Sequence, residues 1–179
     1  MKTLRPYAWG LGLLGVIGLL WWLLSKKQQP AADSSTFPLL VGLTPPLVPL
    51  RIRSDIRGSG AYGATRIGHA HHGIDILCQP GQVVRAPFAG RITQLVYPYP
   101  TDHRWQGFEL QNSGNSLSAR VYYCIPTAGL IGQSVQQGQA IATAQAIATK
   151  YGPGMKNHLH LELRKNGVVV DPTPYFVFS

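Results

Sequence analysis

The sequence predicts a compact antiparallel all-β domain over residues 51–179, behind a single N-terminal transmembrane helix. Three features carry that prediction. Beyond Arg51, apolar residues come in short runs or in alternation with polar ones, which is the period of a strand. Glycine, proline and asparagine punctuate those runs at close intervals, as turns require. No stretch of the domain repeats apolar residues at the 3.6-residue period of an amphipathic helix.

At the N-terminus, MKTLRP is followed by YAWGLGLLGVIGLLWWLL, Tyr7–Leu24, a run of 18 residues without a charge. That length is at the short end of what spans a bilayer. Trp21 and Trp22 sit near its end, where amphipathic rings suit the membrane interface. Lys2, Arg5 and the amino terminus favour a cytoplasmic flank, an asymmetry that Lys26 and Lys27 weaken. A cleaved signal peptide is the competing reading, but its apolar region is usually shorter and followed by small residues. Only PAADSS, further on, offers such a site. Residues 1–24 are therefore read as an uncleaved signal anchor, with the domain on the periplasmic or extracytoplasmic side. Residues 25–50 read as a linker, first polar (SKKQQPAADSS) and then apolar and proline-rich (FPLLVGLTPPLVPL). Its prolines favour extended chain, and its second half is also suited to pack on the domain or lie along the membrane.

The strands follow in order. LRIRSDI alternates, RGSGAYGATR reads as a glycine-rich loop, HHGIDILC as a strand and QPGQ as a turn. VVRAPFAGRITQLVYPY reads as two strands around Ala89-Gly90, and FELQNSGNSLSARVYYC as a hairpin turning at Asn112–Asn115. GQSVQQGQAIATA gives short strands broken by Gly132 and Gly138. HLHLELRKNGVVVDP reads as a second hairpin, turning at Lys165-Asn166-Gly167.

The chain carries a formal charge of +9, and beyond residue 50 twelve Lys and Arg face six Asp and Glu. Such a balance suits a polyanionic partner, and for an exported domain that means anionic envelope polymers. The bases are scattered, without the basic run or aromatic interleaving of a nucleic-acid reader, so no nucleic acid is expected. Two cysteines, Cys78 and Cys124, are equally suited to pair or to remain buried thiols.

Within KNHLHLELRKNG, His158 and His160 are separated by one leucine. On a strand both imidazoles share a face about 7 Å apart, while Leu159, Leu161 and Leu163 fill the other. A second polar cluster, GHAHHGID, holds His69, His71, His72 and Asp75. His71 and Asp75 share parity, but four extended residues span about 13 Å, too far for one small ion. Gly73 between them is the residue that lets the backbone bend. His71, Asp75 and His160 then form a three-donor set that leaves a fourth position for water, as catalytic zinc requires.

HHGIDI followed by HLHLEL resembles the lysostaphin-like, LytM-type zinc metalloendopeptidases, which combine an HxxxD motif, a later HxH motif and a small antiparallel β core. PGQVVRAPFAGRI and IGQSVQQGQAIATA resemble that family's intervening segments, and the likeness runs from about Gly58 to Pro172. The resemblance implies one Zn2+ held by His71, Asp75 and His160, with His158 as a catalytic histidine. It also implies peptidoglycan peptides as substrate. One departure stands out: VYYCIP puts Cys124 where active members carry a further histidine, and a thiol is a poor proton shuttle near neutral pH. In this, and in GSGAYGATR, the chain is similar to the leukocyte cell-derived chemotaxin branch, whose members signal or bind. The resemblance thus implies a zinc-dependent endopeptidase, with an inactive zinc-bearing module that binds wall peptides or activates another hydrolase as the alternative. His72 is expected to be exposed and His69 to be a loop residue. His103 sits on a loop that could line the groove, and Arg66 is placed to meet a carboxylate or face solvent.

Overall fold

The computed structural model describes residues 42–176. The helix expected over residues 1–24 and most of the expected linker lie outside them, and no helix among the described residues is long and apolar enough to cross a membrane. The described chain is almost entirely strands. They run β1 (Ser54–Asp55), β2 (Gly58–Ser59), β3 (Thr65–Arg66), β4 (His69–Ala70), β5 (Ile74–Leu77), β6 (Val83–Arg85) and β7 (Gly90–Val96). Then come β8 (Gly107–Gln111), β9 (Leu117–Tyr122), β10 (Cys124–Pro126), β11 (Ser134–Val135) and β12 (Ala140–Ala144). A four-residue helix α1 (Ala148–Tyr151), the long β13 (His158–Lys165), β14 (Val168–Val170) and one 3-10 turn at Thr173–Tyr175 complete it.

Seven strands form the main sheet, in the order β11-β7-β8-β9-β13-β14, with β5 also paired to β13. All its pairings are antiparallel. β13 is the hub. One edge pairs with β9 over His160–Lys165, and the other is shared: His158–Leu161 pair with β5 and Leu163–Lys165 with β14. Its sequence explains why. Leu159, Leu161 and Leu163 are wholly buried on one face, each stabilising the fold by roughly 1.5–3 kcal/mol. His158, His160, Glu162 and Arg164 take the other face. Ile74 and Ile76 on β5, and Ala119 and Val121 on β9, extend the buried face.

A second, three-stranded sheet, β10-β12-β6, supplies Val84, Cys124, Ile141, Ala142 and Ala144 to the same core. Leu43 and Leu47 also belong to that core, so the end of the segment read as linker packs onto the folded unit. Leu43 is tied in by its amide, which donates to the Tyr175 carbonyl at 2.7 Å.

The Asn112–Asn115 and Asn166-Gly167 turns occur where the sequence places them. Asn166 and Gly167 both have positive φ, 51° and 79°, the backbone that a two-residue hairpin turn requires. The segment 54–70 departs from the expected strand and glycine-rich loop. It folds into two small hairpins, β1-β2 and β3-β4, whose two-residue strands are too short to leave a periodic signal. The two strands flanking Ala89-Gly90 belong to different sheets.

Candidate metal centre

The site lies on the polar face of β13 and β5. Register sets Asp75 directly opposite His160, and Tyr122 of β9 opposite His160 on its other side. Cross-strand partners share a face, so Asp75 and His160 project together. His71 precedes β5 and reaches the same point. Its Nε2 lies 3.2 Å from Asp75 Oδ1 and 3.0 Å from His160 Nδ1, and His160 Nδ1 lies 2.9 Å from Asp75 Oδ1. Among the described residues these three form the one group able to offer a metal three ligand atoms.

The bend that joins them runs through Gly73, though not for the backbone freedom expected of it from the sequence. Gly73 has no left-handed φ. A Cβ there would sit 2.3 Å from the Leu161 carbonyl oxygen and 2.9 Å from His160 Cε1. The residue is glycine because the backbone passes against β13 beside the ligand ring.

Each donor is oriented from behind. His71 Nδ1 lies 2.9 Å from the Ala61 carbonyl, which fixes its proton on Nδ1 and leaves Nε2 as the donor atom. Asp75 turns Oδ1 to the histidines and Oδ2 to Arg53, whose Nε and Nη2 donate at 3.2 and 3.1 Å. Arg53 is itself 3% exposed and also pairs with Asp55 at 2.7 Å. Arg66 reaches the same Oδ2 at 3.4 Å, so it does meet a carboxylate, the one inside the site. His160 presents Nε2 to Glu162 Oε1 at 3.6 Å.

Burial alone would push the Asp75 carboxyl up, but the His160 and His71 imidazoles against it hold it well below the usual carboxylate range. The His160 imidazole is pushed down by burial and more than restored by Asp75 and Glu162, so its affinity for a proton is raised. A donor set of two imidazoles and one ionised carboxylate suits zinc. Three corners of a tetrahedron around zinc stand about 3.3 Å apart, so spacings of 2.9–3.2 Å fit the ion.

His158 lies one step along the same strand face, 4% exposed. Its Nδ1 donates to the Lys156 carbonyl at 2.8 Å, leaving Nε2 as acceptor, and burial pushes its pKa down, so the ring is neutral near pH 7. Tyr123 packs against it edge-to-face. Cys124 is wholly buried, with Sγ 3.7 Å from the Val121 carbonyl, and belongs to the core. Both cysteines are free thiols. His69, on β4, and His72 are exposed. His103 is exposed too, stacked on Tyr97 at 4.3 Å with Nε2 3.1 Å from the Pro100 carbonyl.

Sequence reasoning missed Arg53, Glu162 and Tyr123. Glu162 was within reach, since strand parity puts it on the His160 face. For Arg53 no signal existed beyond the alternation of LRIRSDI.

Comparison with known proteins places this geometry. The profile of Peptidase family M23 matches residues 69–172. Leukocyte cell-derived chemotaxin-2 of Mus musculus is 34% identical over 122 residues, spanning 68% of this chain and 76% of that protein. Among solved structures, Helicobacter pylori Csd3 superposes with a TM-score of 0.56 at 21% identity, over 77% of this chain but 35% of its own. The catalytic domain of the antimicrobial peptidase lysostaphin from Staphylococcus simulans superposes with a TM-score of 0.50 at 20% identity, over 64% of this chain and 87% of its own. The structural likenesses establish a lysostaphin-like all-β fold, and this chain spans about a third of Csd3. With its profile covering more than half the sequence and enclosing both histidine motifs, the chain belongs to Peptidase family M23.

Proposed function

We propose that this chain is a metal-dependent endopeptidase that cleaves peptide bonds in peptidoglycan of the cell envelope. The observation that supports it most is the meeting of His71 Nε2, Asp75 Oδ1 and His160 Nδ1 within 3.2 Å of one another, on the strand face that also carries His158. His71, Asp75 and His160 would hold one zinc ion. When bound, zinc polarises a peptide carbonyl and acidifies water. The protein's own groups do the rest. Arg53 and Glu162 hold the ligands in orientation, and the Ala61 carbonyl fixes the His71 tautomer. Neutral His158 accepts a proton at Nε2 from the attacking water and returns it to the departing amine. The positive charge of the domain favours an anionic wall polymer as partner.

A second reading is favoured by Cys124. The thiol lies in the core and its pKa is pushed far up by burial, so no proton shuttle stands at that position. On this reading the domain keeps the metal and binds wall peptides without cutting them, or activates another hydrolase. Digestion of purified peptidoglycan separates the two: the enzyme releases new amino termini and a chelator abolishes the release, whereas the binding module sediments with the polymer and releases none. Anchoring by residues 1–24, with the domain on the extracytoplasmic side, completes the proposal. Its test is whether the chain stays in the membrane pellet through alkaline carbonate extraction.

A further inference from the structure

Two successive residues, Tyr122 and Tyr123, both pack on the site's histidines. Tyr122 lies 5.7 Å from His160 between ring centroids. Tyr123 lies 5.5 Å from His158 with the ring planes at 86°. Neighbouring side chains on a regular strand leave opposite faces, so Tyr123 should point into the core. It does not, because its φ is 66°, left-handed backbone that a bulky side chain rarely adopts. The turn ends β9, gives the core position to Cys124 and brings an aromatic ring onto the histidine face.

Such backbone persists only where the surroundings hold it, and it concentrates at functional sites. Here the holding groups are visible. The Tyr123 hydroxyl bonds that of Tyr99 at 3.3 Å, and Tyr99 bonds Tyr151 in turn. Lys150 stands 4.1 Å over the Tyr99 ring and pairs with Asp102 at 3.0 Å. Tyr99 and Asp102 lie between β7 and β8, while Lys150 and Tyr151 lie on α1, so two separate segments brace one ring.

We propose that Tyr123 is a positioning residue for His158. The Lys156 carbonyl holds only Nδ1 of that imidazole, and one hydrogen bond does not by itself fix the rotation of the ring. The edge-to-face contact fixes that rotation and keeps Nε2 aimed in one direction. The ring does this, not the hydroxyl, which faces Tyr99.

The test uses the full chain loaded with zinc and two substitutions, Tyr123→Phe and Tyr123→Leu. Long-range proton–nitrogen NMR reads the His158 tautomer and ring order directly, and peptidoglycan digestion reads the consequence. The kinetic arm rests on the peptidase reading; the spectral arm does not. Wild type and the phenylalanine variant are expected to show one His158 tautomer with Nε2 unprotonated. The leucine variant shows averaged nitrogen shifts, kcat down about tenfold or more, KM within about twofold and zinc retained. The phenylalanine variant keeps kcat within about threefold of wild type. His158 spectra identical in wild type and the leucine variant would overturn the proposal. If the leucine variant does not fold, Tyr99→Ala, which removes the brace, decides in the same way: averaged His158 shifts support the proposal and unchanged ones overturn it. If wild type releases no amino termini, the peptidase reading fails while the spectra still decide the role of Tyr123.

Discussion

His158 and His160 stand two residues apart on one face of β13, yet the chain holds them by different means. His160 belongs to a cluster tied by charge: Asp75 and Glu162 flank its two nitrogens, and buried Arg53 locks Asp75. His158 has one backbone hydrogen bond and an aromatic neighbour on a left-handed backbone. The first arrangement is held by several charged contacts at once; the second rests on one hydrogen bond and the packing of an aromatic ring. The three-donor cluster and His158 are therefore held by separate contacts, and a chain can keep one while its hold on the other changes.

The difference can be broken or sharpened by substitution. Asp75→Ala is expected to have the largest effect, loss of stoichiometric zinc, because it removes a proposed ligand and leaves buried Arg53 with Asp55 as its remaining carboxylate partner. Metal analysis of the purified variant checks it, and His158→Ala, by contrast, keeps the metal. Next, Arg53→Met leaves Oδ2 of the buried Asp75 carboxylate with Arg66, at 3.4 Å, as its remaining cationic partner. It should destabilise the protein by about 3–5 kcal/mol in urea melts and weaken zinc affinity about 10- to 100-fold. Glu162→Gln removes the charge behind His160 Nε2 and should weaken zinc about tenfold without changing the melt by more than about 1 kcal/mol.

The smallest effect concerns the thiols. Burial pushes Cys78 up to about 11, partly offset by the Asn157 amide. Between the ordinary thiol value and that one, the unfolded chain loses its Cys78 proton and the folded chain keeps it. This contribution to stability is therefore complete below about pH 8.5 and declines as pH rises toward 11. Native protein should resist alkylation at pH 8 at both cysteines. Cys78→Ala should flatten the alkaline fall in the urea midpoint, which titration from pH 8 to 10.5 measures.

Much of this was legible in the sequence, and the reasons it was legible are physical. HLHLEL alternates because a sheet with one buried face demands it, so the strand, its leucine core and the shared histidine face followed from parity alone. Asn166-Gly167 announced its turn because few residues tolerate two positive φ values in succession. The gathering of His71 and Asp75 was inferable from the need to close 13 Å, about four extended residues, though not the true reason for Gly73, which is clearance from β13. What stayed hidden depends on long-range packing. Arg53 sits 22 positions before the Asp75 it holds, inside a segment whose two-residue strands carry no pattern. The left-handed Tyr123 has no local signature at all, because tertiary contacts from Tyr99 and Tyr151 sustain it.

The proposed chemistry requires a single ion bound between β5 and β13. X-ray absorption at the zinc edge, joined to metal stoichiometry, tests it most directly. The expected result is one zinc per chain, a shell of nitrogen and oxygen neighbours at about 2.0–2.1 Å with imidazole scattering from two rings, and no metal in Asp75→Ala. Sulfur neighbours at about 2.3 Å, or zinc retained in full by folded Asp75→Ala protein, would contradict it.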